Sequence, residues 1–269
     1  DTRDESDIGS DLQLSANEYV GLIPSGGMTF ESVQNSLDTK RSLHPDLETW
    51  RVDPTDFPHS LGMGAGQYRA VGSAVALNYA GKIKDALEGA FRRLNGGGAK
   101  ASLSTLYTAV TGEATENESP QRIVLVSSLA GGSGAGMLMT VADVIRAIGE
   151  EGSNEIFGIL YTPDVFGEKG TFSGTTPNSL AAISEVLNGY WWGGSGISEG
   201  DREDNPIAKQ PNLHQLIGLP QPLIASGPRF PFLVGRTNTG GIDHGNPDNL
   251  FSVVGGSLLS WTTDKAIQR

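Results

Sequence analysis

The segment 122–136 constrains the fold more than any other part of the chain. Arg122-Ile123-Val124-Leu125-Val126-Ser127-Ser128-Leu129 is an apolar, β-branched run that reads as a buried parallel strand. Ala130-Gly131-Gly132-Ser133-Gly134-Ala135-Gly136 follows at once, and 137–148 reads as an apolar helix with Met137, Val141, Val144, Ile145 and Ile148 on one side. A strand that turns directly into a helix begins a crossover connection, and such connections build parallel sheets covered by helices. The turn also implies a chemistry. Ligands of open α/β sheets sit at the carboxyl ends of strands. Glycines there remove the side chains that would keep an anion from backbone N–H groups, and a helix starting near Gly134 adds the positive end of its dipole. Ser133 offers a hydroxyl. The turn therefore predicts anion binding, with a nucleotide's phosphates as the fitting ligand; the alternative is a tight strand–helix connection without a ligand.

The spacing excludes several other sites. No Gly-Lys-Ser/Thr follows, so the turn is not a Walker A loop. Glycines at 132, 134 and 136 do not fit the dinucleotide fingerprint, and Ala135 stands where a hydrolase elbow would need glycine. No His/Ser/Asp or Lys constellation lies near the turn, which weighs against an α/β enzyme acting on another phosphorylated substrate. The four histidines, 44, 59, 214 and 244, lack metal-ligand spacing.

Further alternation supports the same architecture. Residues 19–23 predict a short strand, 70–94 one long helix, 156–161 a strand, 178–190 a helix and 230–234 a third strand with Pro231 at its start or edge. A final helix is expected over 248–265, capped from Asn246-Pro247-Asp248. Residues 99–120 read as a polar surface excursion and 193–211 as a loop or insertion. The expected fold is an α/β, Rossmann-like three-layer sandwich with a mostly parallel sheet.

Composition narrows the partners. The net charge is −12 over 269 residues, without a dense basic patch, which argues against nucleic acid and anionic membrane. A bound polyphosphate must then be held by backbone N–H groups, helix ends and a metal ion. No apolar run approaches the ~20 residues that span a bilayer. The chain has no cysteine, which fits a cytoplasmic setting.

The order of several segments resembles the tubulin/FtsZ superfamily, and most of all its divergent bacterial tubulin-like members. Leu61-Gly62-Met63-Gly64-Ala65-Gly66 before a helix resembles that family's Gly-Leu-Gly-Ala-Gly loop. Ser128-Leu129-Ala130-Gly131-Gly132-Ser133-Gly134-Ala135-Gly136 is similar to its signature Gly-Gly-Gly-Thr-Gly-Ser/Thr-Gly, with Ala130, Ser133 and Ala135 as departures. Leu160 to Phe166 resembles the strand and ribose-facing loop, and Phe232 to Asn238 the strand that leads to the base-contacting asparagine.

The resemblance implies a GTP/GDP site with Mg²⁺. Gly131, Gly132, Ser133 and Gly134 would bind phosphates, with Ala65, Gly66 and Gln67 flanking the terminal one and Arg69 countering its charge. Asp164 and Glu168 become candidates for the ribose, Asn238 for the purine edge, and Phe251 and Val254 for packing on the base. It also implies a filament-forming GTPase. Copies would associate head to tail, and an acidic loop of the neighbouring subunit would complete the active site. A non-polymerising nucleotide switch is the alternative. The family's first strand and loop, its catalytic acidic loop and its C-terminal domain are not recognised in the sequence. The expectation is therefore one nucleotide-binding domain over 1–269, with 248–265 as the family's central helix.

Overall fold

A computed structural model describes residues 18–24, 27–40, 50–114, 122–149, 155–170, 174–193, 213–219 and 226–263, without the side chains of 63, 167–170, 190–193 and 262–263. Three parallel strands form its sheet in the order β1 (Arg122–Ser128), β2 (Glu155–Tyr161), β3 (Phe230–Val234). The register pairs Ser128 with Tyr161 and Tyr161 with Val234, so the three carboxyl ends lie level.

Helices pack on both faces, though Val126 of β1 and Phe232 and Leu233 of β3 stay exposed. On one face Leu129 and Leu160 pack against Leu138 and Met139 of α5 (Gly132–Ile148) and Ala182 and Val186 of α6 (Thr175–Gly193). On the other, Phe157 stacks on Phe230 and Phe232, and Trp261 of α8 (Pro247–Thr263) meets Phe157 and Phe232 edge-on. The alternation of strand residues between faces produces this division, and the three-layer α/β architecture is the expected one. A larger core lies beyond α5. There α1 (Phe30–Asp38), α2 (Arg69–Asn78), α3 (Ala80–Asn95) and the short α7 (Leu213–Leu216) bury Phe30, Val33, Leu37, Val71, Val75 and Leu213 with Val144.

Four expectations are corrected. The run at 122–128 is a parallel strand but not a buried one: none of its residues is buried, and Val124 and Val126 stand exposed on the face where Trp261 meets β2 and β3. The 19–23 run is not a strand; Leu22 and Ile23 are buried as irregular chain in the larger core. The helix expected over 70–94 is two helices, broken at Tyr79 (φ −106°, ψ 19°). Tyr79 still donates its N–H to Val75 O, and its hydroxyl reaches Met28 Sδ at 3.2 Å, so a tertiary contact accompanies the break. The supposed surface excursion contains α4 (Gly97–Thr111). The hydroxyls of Thr105, Thr108 and Thr111 donate to carbonyls four residues back, which satisfies them without breaking the helix. Gly112, at φ 74°, ends it in the left-handed conformation. Within the 193–211 stretch, 194–211 lies outside the described residues, as do 1–17 and 264–269.

Candidate functional site

The two glycine-rich segments, far apart in sequence, form one knot at the end of β1. Gly132 N–H donates to Gly66 O at 2.8 Å, and Ala65 N–H donates to Ser133 Oγ at 3.3 Å. Behind the knot, α2 and α5 approach backbone to backbone. A Cβ on Gly72 would lie 2.2 Å from Gly132 O, and one on Gly136 2.3 Å from Arg69 O. Ser73 Oγ donates to Gly136 O at 2.8 Å across the contact.

The glycines of the turn fall into two kinds. A Cβ on Gly132 would meet Ala65 O at 2.7 Å and Tyr68 N at 2.8 Å, and one on Gly134 would meet Ser128 O at 2.7 Å. These two are required by packing. Gly131 is different: its Cβ would have nothing within 4 Å, and its φ of −89° and ψ of 166° suit any residue. It caps α5, whose first turn points N–H groups and the positive dipole end toward this side.

Helix α6 secures the knot. Asn178 Nδ2 donates to Gln67 O at 2.6 Å and Ala130 O at 3.2 Å, and Ser179 Oγ donates to Leu129 O at 2.9 Å. Gly174 N–H donates to Gln67 Oε1 at 3.3 Å. Asn178 and Ser179 were not foreseen. An asparagine just after Pro177 reads as a helix-start residue, and only the fold shows that its amide crosses to the glycine loops. Arg69, at the start of α2, forms an ion pair with Glu185 of α6, and its Nε is buried without a hydrogen-bond partner.

A second polar cluster lies deeper. The Asp143 carboxylate on α5 accepts from Ser226 Oγ at 2.7 and 2.9 Å and from Gly227 N–H at 2.6 Å. Burial pushes its pKa up to about 6, against the pull of those hydrogen bonds and of Arg146, while Glu185 adds to the rise. Arg146 Nε donates to Gly227 O at 2.6 Å, so one helix holds both polar groups of that residue.

The ends of β2 and β3 carry the remaining candidates. Asp164 Oδ2 accepts from Arg236 N–H at 2.8 Å, and Oδ1 accepts from Thr162 Oγ1. Asn238 Oδ1 accepts from Ile242 N–H at 2.9 Å, closing a turn that the Arg236–Asp243 ion pair braces. Phe251 stands edge-on to Tyr161 with ring centroids 5.0 Å apart, and Val254 packs on the cluster of Ile159, Tyr161, Val165 and Leu250. The backbone of Glu168 lies in the helical turn Pro163–Gly170, and its side chain is outside the described ones. Asn249 N–H donates to Asn246 Oδ1 at 2.9 Å, the expected cap of α8.

The level strand ends thus set Gly131, Asp164 and Asn238 after three adjacent strands. At about 4.8 Å per strand, β1 and β3 are about 10 Å apart. Among the described residues no group of three or more His, Asp or Glu side chains could hold a metal ion. No described helix is long and apolar enough to cross a membrane.

A family model described as "tubulin like" matches residues 1–268 of the chain. No curated protein and no solved structure matches it.

Proposed function

We propose that this chain, which belongs to the tubulin-like family, binds GTP and GDP along the three strand ends. The observation that carries the reading is the joining of two glycine loops into one backbone cradle whose outer residue, Gly131, has open space beside it. Gly131, Ser133 and Gly134 hold phosphates through N–H groups and the α5 dipole, while Gly132, whose N–H is spent on Gly66 O, sets the shape of the turn instead. Ala65, Gly66 and Gln67 flank the terminal phosphate. Asp164 and Glu168 lie on the ribose side, Asn238 meets the purine edge, and Phe251 and Val254 pack on the base. The described residues form no cluster that would hold Mg²⁺ by themselves, so the ion would enter on the nucleotide's own phosphates and would supply neutralising charge there.

The structure sorts the glycines for a decisive test. Gly131→Asp adds a carboxylate in open space, so it meets phosphate charge without disturbing the packing. It is expected to weaken GTP binding about 100-fold, since like charges at ~4 Å repel by several kcal/mol at a protein surface. Gly131→Ala should bind within about threefold of the original chain. Equal affinity of Gly131→Asp, read by calorimetry, would show that phosphates do not lie here.

The family implies further that copies associate head to tail in the cytoplasm and that a neighbour's acidic residues orient the attacking water. A nucleotide-binding module without turnover is the second reading. It is favoured by Ser133 Oγ and Arg69, which are both engaged within the fold. GTP turnover per copy that rises with protein concentration supports the shared site; turnover independent of concentration supports the module.

A further inference from the structure

Asn178 stands on α6, outside both glycine loops, yet binds a carbonyl in each. Its side-chain NH₂ carries two protons, and Gln67 O at 2.6 Å and Ala130 O at 3.2 Å receive them. The residue is 9% exposed, so water does not readily replace it. Ser179 fixes the preceding carbonyl, Leu129 O, at 2.9 Å. Two successive residues of α6 therefore orient the last peptide of the strand run and the first of the turn.

The peptide bond turns this into a statement about the ligand. Ala130 C=O and Gly131 N–H belong to one planar trans unit and point in opposite directions. When Asn178 draws the carbonyl toward α6, the Gly131 N–H at the other end of the same peptide is aimed away from α6. The same amide ties Gln67, and with it the loop 65–67, to the turn at a set separation.

We propose that Asn178 is a positioning residue that aims the Gly131 N–H at the phosphates and sets the spacing of the two loops around them. The inference rests on the nucleotide reading given above. It does not require Asn178 to touch the ligand. Without its donor, two carbonyls turned toward a buried site lose their partner, the 130–131 peptide is free to rotate, and the N–H swings off the phosphate.

The test compares GTP with guanosine, which lacks phosphates, in the original chain and in Asn178→Ala and Asn178→Asp. Aspartate has the volume of asparagine but presents oxygens to both carbonyls. Both variants should lose about tenfold or more in GTP affinity and bind guanosine within about twofold, by saturation-transfer NMR. Amide exchange without nucleotide should quicken at 130–134 and remain unchanged in β2. Unchanged GTP affinity, or equal losses for GTP and guanosine, would overturn the proposal. If the alanine variant does not fold, the aspartate variant is read by the same criteria. If the original chain binds neither compound, the nucleotide reading itself fails. The positioning role then stands or falls on whether exchange at 130–134 responds to the substitution. Ser184→Ala, an exposed change on the same helix, should leave every readout unchanged.

Discussion

Gly136→Ala is expected to destabilise the chain by about 3 kcal/mol and to lower Tm by roughly 6–12 °C. The added Cβ would lie 2.3 Å from Arg69 O, 2.7 Å from Ser73 N and 2.9 Å from Gly72 C. All three are backbone atoms of α2, so no side chain can swing aside. The two helices must separate, and the 2.8 Å hydrogen bond from Ser73 Oγ to Gly136 O goes with the contact. Alanine returns about 1 kcal/mol through helix propensity, which does not offset a forced shift of a whole helix. Gly131→Ala is the matched control. It adds the same methyl in open space and should cost less than about 1 kcal/mol, mostly as a weaker N-cap. Thermal unfolding of the pair decides the matter. A Gly136→Ala chain as stable as the original would show that the close approach of α2 and α5 is not enforced.

Asp143→Asn should flatten the dependence of stability on pH between about 4 and 6, and raise stability at pH 7 by about 1–3 kcal/mol. Burial holds the Asp143 carboxyl at about 6, above its ordinary 3.8. The folded chain therefore binds this proton more tightly than the unfolded chain does. Stability from this group is greatest below pH ~4, falls as pH rises through the interval between the two values, and is level above ~6. Asparagine keeps an oxygen for Gly227 N–H, and the Ser226 hydroxyl can rotate to accept from the new NH₂. It removes the buried charge, and with it the attraction to Arg146. Urea unfolding at pH 4.5, 5.5 and 7 measures the effect. An unchanged slope in the variant would assign the pH dependence to other groups.

The parallel strands, the helices beside them and the glycine turn were legible because each has a local signature. The apolar run at 122–129, the dense glycines at 131–136 and the Asn246 cap need no tertiary information. The roles of individual glycines were not legible. Gly131, Gly132 and Gly134 look alike in sequence, and only the position of the Ala65–Tyr68 loop and of Ser128 O separates open from packed. Asn178 was missed because its partners are supplied by two distant loops. Arg69 was read by its place beside Gly66, yet the fold brings Glu185, from 116 residues away, against it. The break at Tyr79 escaped notice because helical periodicity continues through it, while the contact with Met28 that accompanies it comes from elsewhere in the chain.

The knot of glycine loops also bears on how the molecule is made. Ala65 and Ser133 are 68 residues apart, and Gln67 and Asn178 are 111 apart. No stretch of chain contains the cradle on its own. It comes into being only after these long loops have closed, each at an entropic cost that grows slowly with length. On the proposed reading of the cradle as a nucleotide site, a partly folded chain has nothing with which to grip a nucleotide, and such a ligand would have no hand in guiding early folding. Its influence would be confined to the finished state. There, at 100 times Kd, it would add about 2.7 kcal/mol by mass action. Such a ligand acts as a brake on unfolding and leaves the rate of folding largely as it was.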